Sequence, residues 1–328
     1  MRHFLAQRAA TSSKQRRFPE TLAGVVIQRL LGAALMLGLC ACQSAASDPG
    51  EKNGLAEDEP SNALVAARPY EKKVPQSYKP DQRTPLVVLL HGFGANGITQ
   101  SLYFGLGDIL EREGFLYAYP DGTTNSAGKQ FWNATELCCD FEKTGVDDVA
   151  YIAAVISDMK AHYNVDPGRV YLVGHSNGGF MSHRFACDRA DLVAAIVSLA
   201  GANWKDPGRC QPKEAVAVLQ VHGDQDDAVP YGGATRGSMM LPSAEETVAG
   251  WASKNGCQAT PDRSAADLDL EANIDGSETS VARHTGCRSG GAAELWTLRG
   301  GGHTPSFLRP RWAESIWGFL KAHPKPAQ

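Results

Sequence analysis

Ser176 sits in Gly174–His175–Ser176–Asn177–Gly178, a G-x-S-x-G pentapeptide that follows the apolar run Val170–Tyr171–Leu172–Val173. A serine hydroxyl is a weak nucleophile until a base takes its proton, so the pentapeptide carries chemistry only if a histidine and an acid can reach it. Two downstream segments offer them. His222–Gly223–Asp224–Gln225–Asp226–Asp227 follows the apolar run Val216–Val221, and Gly300–Gly301–Gly302–His303–Thr304 follows Glu294–Leu298. Serine, then acid, then histidine, each just past a strand-like run, is the order in which a strand-borne nucleophile elbow meets its partners. The expected roles are Ser176 as nucleophile, His303 as its base, and Asp226 as the acid that fixes the imidazole tautomer. Asp224 and Asp227 compete for the last role, and Asp226 is preferred for its place shortly before Val229–Pro230.

An acyl transfer also needs donors for the oxyanion. His91–Gly92–Phe93–Gly94 follows the run Leu86–Leu90, and its glycines permit close backbone approach. The backbone N–H of Phe93, with Gly94 as the alternative, and that of Asn177 are the expected oxyanion hole. Removing one such donor typically costs about a hundred- to a thousandfold in rate. Phe93 and Trp132 are the aromatics expected to line the substrate pocket. His91, His175 and His222, next to glycines at strand ends, are expected to support the site by hydrogen bonds. His162, His183, His284 and His323 read as surface positions. No H-E-x-x-H or C-x-x-C spacing is present, so neither a metal nor a cofactor is expected.

These loops need a frame. The runs Leu86–Leu90, Phe115–Tyr119, Val170–Val173, Ala194–Leu199, Val216–Val221 and Glu294–Leu298 read as strands buried on both faces. Between them, Val149, Ile152, Ala153, Ile156 and Met159 recur at helical spacing, Ser243–Ala244–Glu245–Glu246 forms a capping box, and Trp312–Leu320 closes the chain as a helix. Strand–helix alternation implies an α/β architecture with a mostly parallel sheet and helices on both faces.

The chain has 328 residues, 43% of them hydrophobic and 21% charged, an ordinary globular composition. Its formal charge is −4, and residues 1–42 hold more basic than acidic side chains, so the body beyond them is more acidic than the whole. That sign argues against nucleic-acid partners. A basic stretch to Arg29, the short apolar run Leu30–Leu39 and Cys40–Ala41–Cys42 form a signal-peptide layout ending in a lipobox. Residues 1–42 are read as that signal, with Cys42 as the lipid attachment site. Small, polar, acidic residues 43–65 read as a flexible tether, leaving residues 66–328 as one catalytic domain of an exported lipoprotein whose membrane contact is its N-terminal lipid. Six further cysteines in an exported chain suggest disulfides. Cys257 with Cys287 would clamp a Gly- and Asp-rich excursion between a helix and a strand. Cys138 and Cys139 are then expected to pair with Cys187 and Cys210, in either order.

On these residues the chain resembles the esterase family that includes polyhydroxybutyrate depolymerases, feruloyl esterases and acetyl xylan esterases. The match runs through Leu86–Gly92, Tyr119–Pro120–Asp121–Gly122, Trp132–Asn133, Cys138–Cys139, Val146–Val149, Gly174–Gly179, Asp226–Tyr231 and Gly301–Thr304. The resemblance implies the α/β-hydrolase fold, the Ser176–Asp226–His303 triad and an exposed site without a large lid. Pro305, and the long acidic segment 261–280, depart from the family pattern. The expected activity is serine carboxylesterase through an acyl-enzyme, on feruloyl or acetyl esters of polysaccharide or on hydroxyalkanoate esters. Depolymerisation of polyhydroxybutyrate, peptidase or thioesterase chemistry, and a tethered binding role are the alternatives.

Overall fold

The computed structural model describes residues 59–237 and 239–326. Its frame is a main sheet of eight strands: β1 (Glu71–Lys73), β2 (Thr84–Leu90), β3 (Leu116–Tyr119), β4 (Val165–His175), β5 (Ala195–Leu199), β6 (Ala217–Gly223), β7 (Thr279–His284) and β8 (Ala292–Leu298). They lie in the order β1-β3-β2-β4-β5-β6-β8-β7. The inner strands are parallel in register, with Leu86 opposite Val170, Tyr171 opposite Ala195, and Ala195 opposite Ala217. The edge strands β1 and β7 run antiparallel to their neighbours.

Side chains along a strand point alternately to the two faces, and here both faces are covered. Leu86, Val88 and Leu90 of β2 join one core with Tyr151, Ile152, Phe180, Phe185 and Trp251. These come from helices α3 (Asp148–His162), α4 (Asn177–Asp188) and α5 (Ala244–Lys254). Val87 and Leu89 point the other way, into a second core with Phe104, Trp312, Ile316 and Trp317. Those belong to α2 (Gly97–Phe104) and α6 (Arg311–Ala322). Every residue of β2, β5 and β6 is buried, which accounts for their mostly apolar sequences. The two edge strands escape the sequence reading because Glu71–Lys72–Lys73 is exposed and charged, while β7 is only partly buried. Edge pairing alone makes them strands.

Two expectations are corrected. The tether assigned to residues 43–65 runs into α1 (Glu59–Ala67), a helix packed against α3 with Val65 resting on the core. Ala63–Leu64–Val65–Ala66–Ala67 supplies helix formers and an apolar face, so that part folds onto the domain. Residues 43–58 and the signal with Cys42 lie outside the described residues. Among the cysteines, Cys257–Cys287 pairs as expected, but Cys138 bonds Cys139 and Cys187 bonds Cys210. The end of α4 lies beside the loop leaving β5, so Cys187 and Cys210 satisfy each other. Cys138 and Cys139 remain together in a turn closed by two backbone hydrogen bonds between Thr135 and Cys138. Among the described residues, no helix is long and apolar enough to cross a membrane.

Candidate active site

Ser176 stands at the junction of β4 and α4 with φ 52° and ψ −117°, a positive-φ strain that a non-glycine residue rarely accepts. Glycines make the bend possible. A Cβ on Gly174 would lie 2.1 Å from the Gly178 carbonyl oxygen, and one on Gly178 would lie 2.1 Å from that of Leu90. The turn therefore closes only with hydrogen at both positions. The serine hydroxyl is set above the amino end of a twelve-residue helix, where unpaired N–H groups favour developing negative charge.

The loops after β6 and β8 bring the expected partners to it. His303 Nε2 lies 2.9 Å from Ser176 Oγ, and His303 Nδ1 lies 2.8 Å from Asp226 Oδ2. The other carboxylate oxygen of Asp226 accepts the Ala228 and Val229 N–H groups at 2.9 and 2.8 Å. Burial opposes ionisation of Asp226, but hydrogen bonds from His222, His303 and Val229 outweigh it and hold its pKa well below the usual carboxylate range. An ionised acceptor at that place keeps the proton on His303 Nδ1, leaving Nε2 free to receive one from the serine. Asp224 does a different job, accepting the Gly300 N–H at 2.7 Å and thereby tying the β6 loop to the histidine loop.

The oxyanion candidates also converge. The Gly94 N–H is already bound to the Gln130 carbonyl at 2.8 Å, whereas among the described residues the N–H groups of Phe93 and Asn177 have no internal acceptor. Phe93 is thus the better donor of the two considered. Phe93 is 39% exposed and stands edge-on to Phe141, itself 63% exposed, with ring centroids 5.5 Å apart. This aromatic pair adjoins a cleft of about 740 Å³ lined by Asn133, Phe141, Arg184, Trp204 and Arg209 among others.

Trp132, expected in the substrate pocket, is fully buried and cannot line it. Its ring lies between the loop after β2 and helix α3, and it acts as a brace. The indole N–H donates to the His91 carbonyl at 3.0 Å, while its backbone N–H and carbonyl pair with the buried Asn177 amide at 2.7 and 2.9 Å. One residue thereby joins the two segments that carry the oxyanion donors. His91, His175 and His222 do make supporting hydrogen bonds. His91 Nε2 accepts the Gly122 N–H, and the ring N–H of His175 donates to the His303 carbonyl at 2.9 Å. Tyr103 donates its hydroxyl to the Pro305 carbonyl and steadies the same loop. His183, read as a surface residue, is fully buried between α4 and α5. Among the described residues no three His, Cys, Asp or Glu side chains converge as metal ligands.

A serine on a strained strand-to-helix turn, with histidine and aspartate from later strand ends of a parallel sheet, defines the α/β-hydrolase class. Within that class, the chain belongs to the phospholipase/carboxylesterase family, whose model matches residues 74–251. It is 27% identical over 248 residues to feruloyl esterase B of Piromyces equi, covering 73% of this chain and 43% of that protein. It is 29% identical over 166 residues to a bifunctional acetylxylan esterase/xylanase of Neocallimastix patriciarum, covering 51% of this chain and 22% of that protein. The chain thus spans less than half the length of these two curated relatives. Among solved structures, an acetyl xylan esterase from Aspergillus awamori superimposes with a TM-score of 0.54 at 17% identity, over 76% of this chain and 93% of that one. At that identity the likeness speaks for the fold.

Proposed function

We propose that the protein is an exported serine carboxylesterase acting on feruloyl or acetyl esters of polysaccharide. The observation that carries the reading is the unbroken hydrogen-bonded line from Ser176 through His303 to Asp226 in a chain of the carboxylesterase family. His303 takes the hydroxyl proton as Ser176 Oγ bonds to the ester carbonyl carbon, and the resulting oxyanion is held by the Phe93 and Asn177 N–H groups. The same proton passes from His303 to the departing alkoxide, leaving an acyl-serine. Water then bonds to the acyl carbon as His303 takes its proton, the bond from that carbon to Ser176 Oγ breaks, and the proton passes from His303 to Oγ as the acid leaves. Asp226 stays ionised throughout and stabilises the imidazolium.

The exposed Phe93–Phe141 pair and the adjoining cleft support a bulky substrate with aromatic or sugar faces over a small free ester. The names of the relatives point the same way. Three disulfides suit an oxidising compartment, in keeping with export and with lipidation at Cys42.

The test is hydrolysis of p-nitrophenyl acetate and butyrate, methyl ferulate, acetylated xylan and a soluble hydroxybutyrate oligomer by wild type and Ser176→Ala. Turnover of methyl ferulate or acetylated xylan, lowered at least about a thousandfold in the variant, is the expected result. Preference for the hydroxybutyrate oligomer would replace the substrate class with a polyester. Absence of turnover on every ester by folded wild type would overturn the esterase reading.

A further inference from the structure

Beyond its bonds to His303 and the Val229 loop, Asp226 meets a line of buried polar side chains that runs away from it through the core. His222 Nε2 lies 2.8 Å from the Val229 carbonyl and 3.3 Å from Asp226 Oδ2. His222 Nδ1 lies 3.1 Å from Gln220 Nε2, and Gln220 Oε1 lies 3.0 Å from His183 Nε2. His183 Nδ1 accepts the Trp251 indole N–H at 2.9 Å. Trp251, His183 and Gln220 are fully buried and His222 is 1% exposed, so water does not complete these bonds.

The direction of every bond follows from the two ends. An indole nitrogen is a donor only, so His183 Nδ1 must carry a lone pair and its proton must sit on Nε2. Burial keeps that imidazole neutral, with its pKa pushed down to about 4. Its Nε2–H can donate only to the amide oxygen of Gln220, which turns the Gln220 NH2 towards the Gly201 carbonyl at 2.8 Å and towards His222 Nδ1. A carbonyl accepts only, so the Gly201 end selects the same amide orientation independently. His222 Nδ1 is then an acceptor, and its proton is placed on Nε2, facing two acceptors. With the opposite tautomer, a lone pair would face the Val229 carbonyl and the Asp226 carboxylate, a buried contact between acceptors with no proton between them.

We propose that Trp251, His183, Gln220 and His222 form a directional hydrogen-bond chain that ends in the His222 Nε2–H, a positioning donor holding the Asp226 carboxylate towards His303. His222 touches neither substrate nor reacting atoms and acts through Asp226. The inference rests on the proposed ester hydrolysis, and its test reads the reactivity of Ser176 apart from the identity of the ester.

That test measures the rate at which a small fluorophosphonate labels Ser176, with kcat and KM on p-nitrophenyl acetate and a thermal melt alongside. His222→Phe is expected to label at least about tenfold slower, with KM within about twofold of wild type, because a donor to a charged group has been removed. His222→Gln, which keeps an N–H at the same reach, should stay within about threefold. In an Asp226→Asn background, His222→Phe should cost no more than about twofold, since residues acting as one unit are non-additive. If the phenylalanine variant does not fold, Gln220→Met takes its place, because it frees the His222 tautomer, and labelling about fivefold slower is expected. Labelling by a folded His222→Phe or Gln220→Met protein within twofold of wild type overturns the proposal. So does an equal loss in the Asp226→Asn background. Ester turnover by wild type is read separately, so the esterase reading can fail while the labelling ratios stand.

Discussion

At the residue scale, the candidate site is built on buried neutral histidines as well as on His303. His175 and His183 are buried next to partners that need a fixed tautomer, and burial pushes both down to about 4 from an ordinary 6.5. The unfolded chain binds more protons than the native one between those values, so stability is full above pH 6.5 and falls as pH drops towards 4. Each histidine should remove about 2 kcal/mol between pH 7 and pH 5. Urea unfolding at the two pH values checks this, and an unchanged midpoint would contradict it. The chain alone marks Ser176, Asp226 and His303 as candidates because Ser176 and His303 stand among glycines just past apolar runs and Asp226 lies shortly beyond another. It does not mark the burial of Trp132 and His183. An aromatic in a loop and a histidine in a helix look the same whether buried or exposed, because burial is set by what packs over them from elsewhere in the chain.

At the element scale, the histidine loop is held by a long excursion rather than by β8 alone. Segment 261–280 pairs with β7 through Asp262 and Leu268 and then reaches the far side of the site. There, the Ala272 N–H donates to the Ser306 carbonyl, and the Leu308 N–H to that of Leu270. This segment braces residues just beyond His303. The Cys257–Cys287 bond closes its base across a separation of 30 residues, and a loop of that size implies about 3.6 kcal/mol of stabilisation through the unfolded state. A Cys257→Ser, Cys287→Ser double variant is therefore expected to lose about 3.6 kcal/mol in chemical denaturation; a loss below about 1 kcal/mol would show that the backbone pairing carries the excursion alone. The pairing of Cys257 with Cys287 followed from their places at the ends of one excursion. Cys187 with Cys210 could not be anticipated in that way, because it depends on the end of α4 lying beside a loop from another strand.

At the scale of the whole molecule, an acidic catalytic body is joined to a basic, apolar N-terminal segment. The proposed anchor places the lipid on Cys42, with a tether that gives way to folded structure at α1. Cys42→Ala is expected to release the protein from the membrane fraction into the soluble fraction with esterase activity intact, and continued membrane association would refute the anchor. By itself the sequence determined the parallel α/β frame, the chain order Ser176, Asp226, His303 and the loops that carry them, because periodicity, glycine placement and caps act over a few residues. Tertiary structure alone decided the antiparallel edges, the exchange of disulfide partners, the burial of Trp132, and the line from Trp251 to Asp226. The β1–β3 pairing, the Cys187–Cys210 bond, the burial of Trp132 and the line from Trp251 to Asp226 join groups far apart in the chain, where the choice of partner depends on which surfaces the folded sheet and helices bring into contact.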